Sequence, residues 1–426
     1  MQKRVLSSAI ALALTALASG TALAQSSVTI YGNIDVSVDR VKRTAGDNIP
    51  GAPAGLTTAL NVKQSATRVG PDTSSQSALG FRGVEDLGNG YKGNFVLEGQ
   101  MGVDNGALLR DGRLFGRQAY VGLTTPFGEF RAGRQYAPIF FSSALITTER
   151  FGSTDQFVEG GLSNSLNIRW DNALSYSLQA GGFRGQLGFS PNAGVAQKVN
   201  ALRSTSGGSD SGGQIVGGAT AAVENDKGRG RSWGAFGAYA ISDLTVTAGY
   251  GNTNFANAPV QAVVSGSAVD LFKIDDYSVW NLGAKYVLKD LGLTFSGSFG
   301  RGSYDVNSAG ALASLIEITD GKLKVSSLVL GTRYEIGAMA FLAQWSETKF
   351  RNEGRGKNQA YTLGAEYSLS KRTTLYSRYE EIKDKGVGPA VTLAATGIRE
   401  VPTIGGYGIS PGGKTTQLAL GVRHNF

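Results

Sequence analysis

Three short patterns in this sequence contain residue types that bind phosphate or catalyse reactions. Residues 408–415 read GISPGGKT and match the phosphate-binding pattern G-x-x-x-x-G-K-[ST], residues 88–93 read GNGYKG and match G-x-G-x-x-G, and His424 is the single histidine. A phosphate-binding loop works because its backbone amides and the start of the following helix converge on the phosphates. The chemistry of each pattern therefore depends on the element that follows it.

Catalysis has few candidate residues in this chain. Cysteine is absent, and a Ser-His or Asp-His arrangement would have only His424 as its base. The sequence also lacks an H-E-x-x-H motif and any Cys/His cluster with metal-ligand spacing. We therefore predict that the protein is not an enzyme and holds no cofactor or metal. The formal net charge of +8 is spread over 426 residues, so we also expect no nucleic-acid partner.

Residues 1–24 have the three parts of a cleaved secretion signal. Lys3 and Arg4 supply a positive start, residues 5–18 form an apolar core, and residues 22–24 (ALA) give a small-x-small cleavage pattern. We predict export and a mature chain of residues 25–426. Because cysteine is absent, no disulfide can stabilise the exported chain. Beyond the signal, no stretch approaches the roughly 20 consecutive apolar residues of a membrane helix.

The rest of the chain alternates between apolar and polar residues. Residues 244–250 (LTVTAGY), 293–299 (LTFSGSF) and 361–369 (YTLGAEYSL) place most of their apolar side chains at every second position. A period of two predicts β-strands, because successive side chains of a strand point to opposite faces.

Short and long connections alternate between the predicted strands. The short ones are predicted at 87–90, 125–128, 180–182, 242–243, 290–292, 336–337 and 370–372. The long polar or glycine-rich ones are predicted at 42–75, 136–165, 191–230, 254–274, 305–320 and 384–412. All ten prolines fall within these connections, as expected because proline cannot donate to a β-ladder. Seven tight turns, with long loops between them and both termini on the turn side, give sixteen strands.

These features predict an all-β fold, a sixteen-stranded antiparallel transmembrane β-barrel with short periplasmic turns and long outer loops. A soluble sandwich or propeller also alternates, but such folds rarely place their short connections on one side. In a barrel, GNGYKG is a hairpin turn. GISPGGKT runs into a strand, because Leu418, Leu420 and Val422 alternate with polar or small residues. We therefore expect neither pattern to bind a nucleotide, and we expect His424 to face the lipid.

Four segments resemble the trimeric general porins of Gram-negative bacteria, particularly the beta-proteobacterial type. They are residues 26–38 (SSVTIYGNIDVSV), 79–100 (LGFRGVEDLGNGYKGNFVLEGQ), 114–138 (LFGRQAYVGLTTPFGEFRAGRQYAP) and 420–426 (LGVRHNF). The resemblance implies a homotrimer in the outer membrane, in contact with its lipids and lipopolysaccharide. Each subunit would hold a water-filled pore for passive diffusion of small hydrophilic solutes and ions. The terminal Phe426 would be part of the signal that the barrel assembly machinery reads.

The resemblance also implies a constriction inside the pore. The third outer loop, 136–165, would fold inward and carry the acidic residues Glu149, Asp155 and Glu159. Arg117 and Arg169 fall where the family has two steps of an arginine ladder, whereas Ala78 stands where a third arginine is usual. Alternation directs Arg82 and Glu98 into the pore as well. We expect a mild anion preference, which Ala78→Arg would strengthen.

Other interpretations of these residues stay open. Arg117 and Arg169 could instead be solvated, or they could brace a neighbouring loop. Four aromatic residues are expected in the membrane-interface girdles, namely Tyr31, Tyr250, Phe299 and Tyr367. A dedicated channel for one solute class is an alternative function, as is an adhesin that uses the long loops 191–230 and 384–412.

Overall fold

In the computed structural model, the chain is described at residues 27–44, 46, 63–109, 112–148, 168–194, 199–200, 229–264, 267–307, 321–351, 356–385, 410 and 412–426. These residues form eighteen strands, one α-helix and one 3-10 turn. The first ten strands and the helix are β1 Ser27–Arg43, β2 Gln64–Pro71, β3 Ala78–Gly88, β4 Tyr91–Gln100, β5 Gln118–Thr125, β6 Gly128–Tyr136, α1 Pro138–Ala144, β7 Arg169–Ala180, β8 Phe183–Ser190, β9 Val199–Asn200 and β10 Ser232–Ile241. The remaining elements are β11 Leu244–Val264, β12 Ser267–Leu288, the 3-10 turn Lys289–Leu291, β13 Leu293–Asn307, β14 Lys322–Ile336, β15 Met339–Arg351, β16 Lys357–Ser368, β17 Thr373–Lys385 and β18 Lys414–Asn425.

Sixteen of these strands form a closed antiparallel wall. Each wall strand pairs with the next one along the chain, and β18 pairs back with β1. The two other strands are additions to the wall. Strand β2 lies antiparallel along the outer half of β1, and the two-residue β9 pairs in parallel with β11. The predicted sixteen-stranded barrel is therefore confirmed.

Alternation places apolar side chains outside the wall and polar ones inside. Val121, Leu363 and Leu420 on the outer face are 62%, 55% and 65% exposed, whereas Thr362 and Asn281 on the inner face are buried. A closed wall pairs its backbone groups internally, as a hydrocarbon environment requires. No helix in the described part of the chain is long and apolar enough to cross a membrane.

All seven predicted short turns are present. In the turn between β3 and β4, Asn89 and Gly90 have positive φ values of 53° and 80°, which these two residue types tolerate best. GNGYKG is therefore a hairpin turn, and the residues from Lys414 onward form strand β18 rather than a helix. His424 lies on the outer face of β18, where its Nδ1 is 2.9 Å from the hydroxyl of Thr373.

Strands β11 and β12 extend further than the sequence predicts. Most of the predicted loop 254–274 is paired as a long hairpin, with an irregularity between Asn254 and Ala258. Pro259 lies within β11 and Pro71 ends β2, so the prediction that all prolines fall outside strands is wrong. Proline fits at 259 because β10 pairs with β11 only up to Thr253. Beyond Thr253, β11 has no β10 partner, so the absence of a backbone N–H at Pro259 removes no hydrogen bond to β10.

The predicted loop 42–75 contains a strand, and the residues after this strand lie inside the barrel. Its residues 64–71 form β2, and the next six residues, 72–77, leave the wall before β3 begins. We call these six residues the inward segment. Asp72, Thr73, Ser74 and Ser77 are all buried, although the sequence here is as polar as an ordinary surface loop.

The first and last wall strands meet at a seam. The backbone N–H of Gly32 donates to Phe426 O at 3.2 Å, and that of Phe426 donates to Gly32 O at 3.1 Å. A side chain at position 32 would collide with the Phe426 ring and with the carbonyl of Ala78. Glycine at this position therefore allows the close approach that completes the wall.

Candidate pore constriction

The connection that follows β6 enters the barrel. Helix α1 packs against the inner faces of β10, β11 and β12. From β11, the hydroxyl of Thr247 donates to Ser142 O at 2.6 Å, and from β12, the ammonium of Lys285 donates to Leu145 O at 2.7 Å. The described part of the predicted loop 136–165 thus runs inside the barrel. Glu149, Asp155 and Glu159 lie outside the described residues.

Glycines on the inner wall make room for this segment. Three of them, on β11, β12 and β14, lie directly beneath it: Gly249 beneath Ser142, Gly283 beneath Ile146 and Gly331 beneath Thr148. A Cβ atom at any of these positions would overlap the side chain above it. The wall therefore has glycine at the positions where the inward loop packs against it.

Arg117 is the centre of a hydrogen-bonded cluster at the base of this loop. Its Nε donates to Glu98 Oε1 at 2.5 Å, one terminal nitrogen donates to Gln76 Oε1 at 2.5 Å, and the other donates to the hydroxyl of Tyr136 at 3.0 Å. The second oxygen of Glu98 accepts a hydrogen bond from the Tyr31 hydroxyl at 2.8 Å. Arg117 and Glu98 thus form a buried ion pair whose charges largely offset one another.

Arg169 reaches the same cluster through Tyr136. Its guanidinium lies 4.5 Å from the centre of the Tyr136 ring and donates to the Tyr136 hydroxyl at 2.9 Å. The Tyr136 ring also stacks on Phe140 of α1, with 4.4 Å between ring centres. Arg117 and Arg169 are only 8% and 4% exposed. These contacts favour the interpretation in which the two arginines brace the loop.

The inward segment covers the other side of the interior. Asp35 on β1 accepts hydrogen bonds from the backbone N–H groups of Thr73 and Ser74 at 3.2 and 3.4 Å. Arg378 on β17 donates to Thr73 O at 2.9 Å, and Arg423 on β18 donates to the Ser74 hydroxyl at 2.5 Å. Two inward elements therefore line the passage, with α1 on β10–β12 and the inward segment on β1, β17 and β18.

The inward segment explains the small residue at position 78. The two residues directly across the ladder from Ala78 are Asn33 and Gln100. Asn33 donates to the hydroxyl of Ser75 at 3.0 Å, and Gln100 donates to a carboxylate oxygen of Asp72 at 2.9 Å. The inward segment therefore lies over Ala78, which is 4% exposed. An arginine at this position would need the volume that the segment fills.

Arg82 is placed as alternation predicts. It pairs with Thr29 on the inner face of β3, and its guanidinium lies 5.1 Å from the centre of the Tyr31 ring. Arg82 is exposed inside the barrel, in contrast to Arg117 and Arg169. Tyr31 itself faces inward, so its assignment to the interface girdle is wrong. The aromatic ring alone is typical of an interface residue, but the Tyr31 hydroxyl donates a hydrogen bond to Glu98 inside the barrel.

Sequence reasoning missed three further arginines of the same sector. Arg131 on β6 pairs with Glu129 at 2.6 Å, while Arg113 and Arg134 both pair with Asp171 on β7. Alternation along β6 could have found Arg131. Arg134 follows a break in register between Gly133 and Gln135, so a strict period of two does not give its direction. The described network from β3 to β7 thus contains six arginines and three carboxylates.

Comparisons with known proteins agree with this architecture. The family described as Gram-negative porin matches residues 9–387. Outer membrane porin protein 32 of Delftia acidovorans is 30% identical over 98% of this chain and 99% of its own length. An outer membrane porin of Bordetella pertussis is 29% identical over the same shares of the two chains.

Solved structures share the fold. The anion-selective porin from Comamonas acidovorans superposes with a TM-score of 0.62 at 24% identity and covers 94% of this chain and 100% of its own. OmpF from Salmonella typhi superposes with a TM-score of 0.57 at 15% identity over 94% of this chain and 97% of its own. At these identities the likeness establishes the fold. Together with the matched family and the full-length relatives, it leads to one conclusion. The chain belongs to the Gram-negative porin family and is an outer membrane porin.

Proposed function

We propose that each chain encloses its own water-filled channel, through which small hydrophilic solutes and ions diffuse passively. The observation that carries this proposal is a closed wall with a polar inner face, narrowed from two sides by α1 and by the inward segment. Proteins of this family are channels rather than enzymes. The loop acids Glu149, Asp155 and Glu159 remain proposed contributors to the same constriction.

A mild anion preference is the proposed selectivity. The described network on β3 to β7 has an excess of arginines over carboxylates, which supports a positive potential along that side of the passage. Arg117 contributes less than an isolated arginine would, because Glu98 forms an ion pair with it. Arg82 contributes more, because its guanidinium is exposed inside the barrel.

The reversal potential across a planar bilayer under a salt gradient tests both parts of this proposal. We expect steady open-channel current with a modest anion preference. Arg82→Gln should move the reversal potential toward cations, since a unit charge about 4 Å from a passing ion contributes about 1 kcal/mol in water. At 1 M salt the shift should shrink, because the Debye length falls to about 3 Å. Lys371→Gln, an equal charge change in an exposed turn, is the control. Absence of steady current would contradict the channel.

We further propose that three chains assemble into a trimer through the side of the barrel whose wall strands are shortest, which we call the low side. Strands β5 and β8 have 8 residues each, whereas β11 and β12 have 21 and 22. A tilted strand needs about 9 to 11 residues to cross a bilayer. The low side is therefore better covered by neighbouring subunits than by lipid.

A detergent-resistant trimer that heating converts into unfolded monomer is the expected result of extraction. Strand closure and subunit packing must carry this stability, because the chain has no cysteine. Light scattering with the detergent contribution subtracted measures the native mass. A particle of monomer mass would contradict the trimer. Cleavage after residue 24, recognition of Phe426 by the assembly machinery, and contact with lipopolysaccharide belong to the same proposal.

A further inference from the structure

A cavity of about 440 Å³ lies beneath α1, next to the turn between β5 and β6. Its back wall is one continuous row of cross-strand neighbours on five strands: Thr124, Glu129, Ser177, Gln186 and Phe236. The ladder fixes the backbone position of each neighbour, so the five side chains project into the cavity from fixed points. The cavity lies on the turn side of the passage, away from the Arg117 cluster.

Two aromatic rings bound the inner end of this cavity. Phe141 reaches down from α1 and Phe236 faces inward from β10, with 5.9 Å between ring centres. Phe236 is only 6% exposed, so its position is fixed by packing. The rings present apolar surface that water does not hydrogen-bond, which favours an apolar or aromatic body in the cavity.

The charged groups around the cavity carry a net positive charge. Arg131 lines it and pairs with Glu129, while its guanidinium lies 4.9 Å from the Tyr120 ring centre. Arg184 also lines it and is exposed on the inner face of β8. The Arg184 guanidinium donates a long hydrogen bond of 3.4 Å to Gln179. Two guanidinium groups thus face one carboxylate, and Arg184 is the one accessible to a solute.

We propose that this cavity binds a small aromatic carboxylate. The aromatic ring of the solute packs against Phe141 and Phe236, and its carboxylate pairs with the fork of Arg184, a geometry that guanidinium groups favour. Arg131 adds positive potential from behind. The proposal rests on the proposed channel, because a solute reaches this cavity only through the open barrel.

Occupancy of the cavity should interrupt ion flow, because its lining residues belong to the inner wall of the passage. We would add 4-fluorobenzoate to the turn side of single trimers in a bilayer and record the chloride current. A saturable decrease in current is expected. Acetate, which lacks the ring, and 4-fluorobenzyl alcohol, which lacks the charge, should produce little decrease at the same concentration.

Arg184→Gln should weaken the effect of 4-fluorobenzoate severalfold, whereas Arg372→Gln should leave it unchanged. Arg372 lies in the exposed turn between β16 and β17 and matches the charge change far from the cavity. Fluorine NMR of the same solute with detergent-solubilised trimers measures binding without current: the line should broaden with the native chain and much less with Arg184→Gln.

The outcomes separate this inference from the channel itself. Steady current that 4-fluorobenzoate does not reduce would contradict the binding site and leave the channel intact. An equal loss of binding in Arg184→Gln and Arg372→Gln would mean that general charge attraction is responsible, which also contradicts the site. If no current is seen, the NMR arm still decides: broadening lost in Arg184→Gln alone supports the site, and its absence overturns it.

Discussion

Arg117→Ala should destabilise the barrel and shift the reversal potential toward cations. Arg117 and Glu98 form a buried pair with side chains 9% exposed each, so removing the guanidinium leaves an uncompensated carboxylate. Breaking such a pair costs about 3–5 kcal/mol of unfolding free energy. The same carboxylate then adds negative potential to the wall. Heat dissociation of trimers measures the first effect, and the bilayer reversal potential measures the second.

The matched variants separate the pair from the single charge. Glu98→Gln should shift the reversal potential toward anions, because Arg117 then lacks its counter-charge. Arg117→Ala combined with Glu98→Ala should restore much of the original selectivity and part of the stability, since no charge is left unpaired. If the double variant behaves like Arg117→Ala alone, Glu98 does not offset Arg117 and the ion pair is not the determinant.

Gly249→Leu combined with Gly283→Leu should raise the single-channel conductance severalfold. The new side chains would occupy the positions of Ser142 and Ile146, so the loop must leave the inner wall. Overpacking a well-filled interior costs about 1–3 kcal/mol per site. This cost is comparable with the net free energy that the few hydrogen bonds to the loop contribute, about 1 kcal/mol each. The passage widens once α1 is displaced.

Gly237→Leu is the control for this experiment. Gly237 faces outward on β10, where an added Cβ would meet Phe183 at an ordinary 3.7 Å. This variant should conduct like the native chain. Unchanged conductance in the Gly249 and Gly283 double variant, in trimers of normal heat stability, would mean that α1 does not limit the passage.

The wall could be predicted because its signals are local and repeated. Every strand pair shows the alternation again, and each tight turn has its own residues, such as Asn89 and Gly90. The sequence predicts helix α1 only as part of an inward loop, and only through the resemblance. The surface on which α1 packs is nevertheless visible in the sequence. Gly249 and Gly283 occupy inner-face positions that could hold larger side chains if no loop packed against them.

The constriction could be predicted only in part, because it depends on contacts distant in sequence. Arg117 precedes β5, so alternation does not set its direction. Its partners come from two different places in the chain, Gln76 from the inward segment and Tyr136 from the end of β6. The inward segment and the preceding Pro71 read PDTSSQS, a sequence typical of an exposed surface loop. Its burial depends on Asp35, 38 residues before Thr73, and on Arg378 of β17, 305 residues after Thr73.

The seam between Gly32 and Phe426 has a consequence for the order of events during biogenesis. The partners of β1 on one side, β2 and β3, are synthesised early, whereas its partner on the other side, β18, follows every other described strand. Until then both edges of the sheet have unsatisfied backbone groups, and such edges template aggregation. Closing a contact across nearly the whole chain is also slow, because its entropic cost precedes any gain. The wall therefore cannot close before β18 is available, and its edges stay open for as long as synthesis of β18 and closure are separated in time.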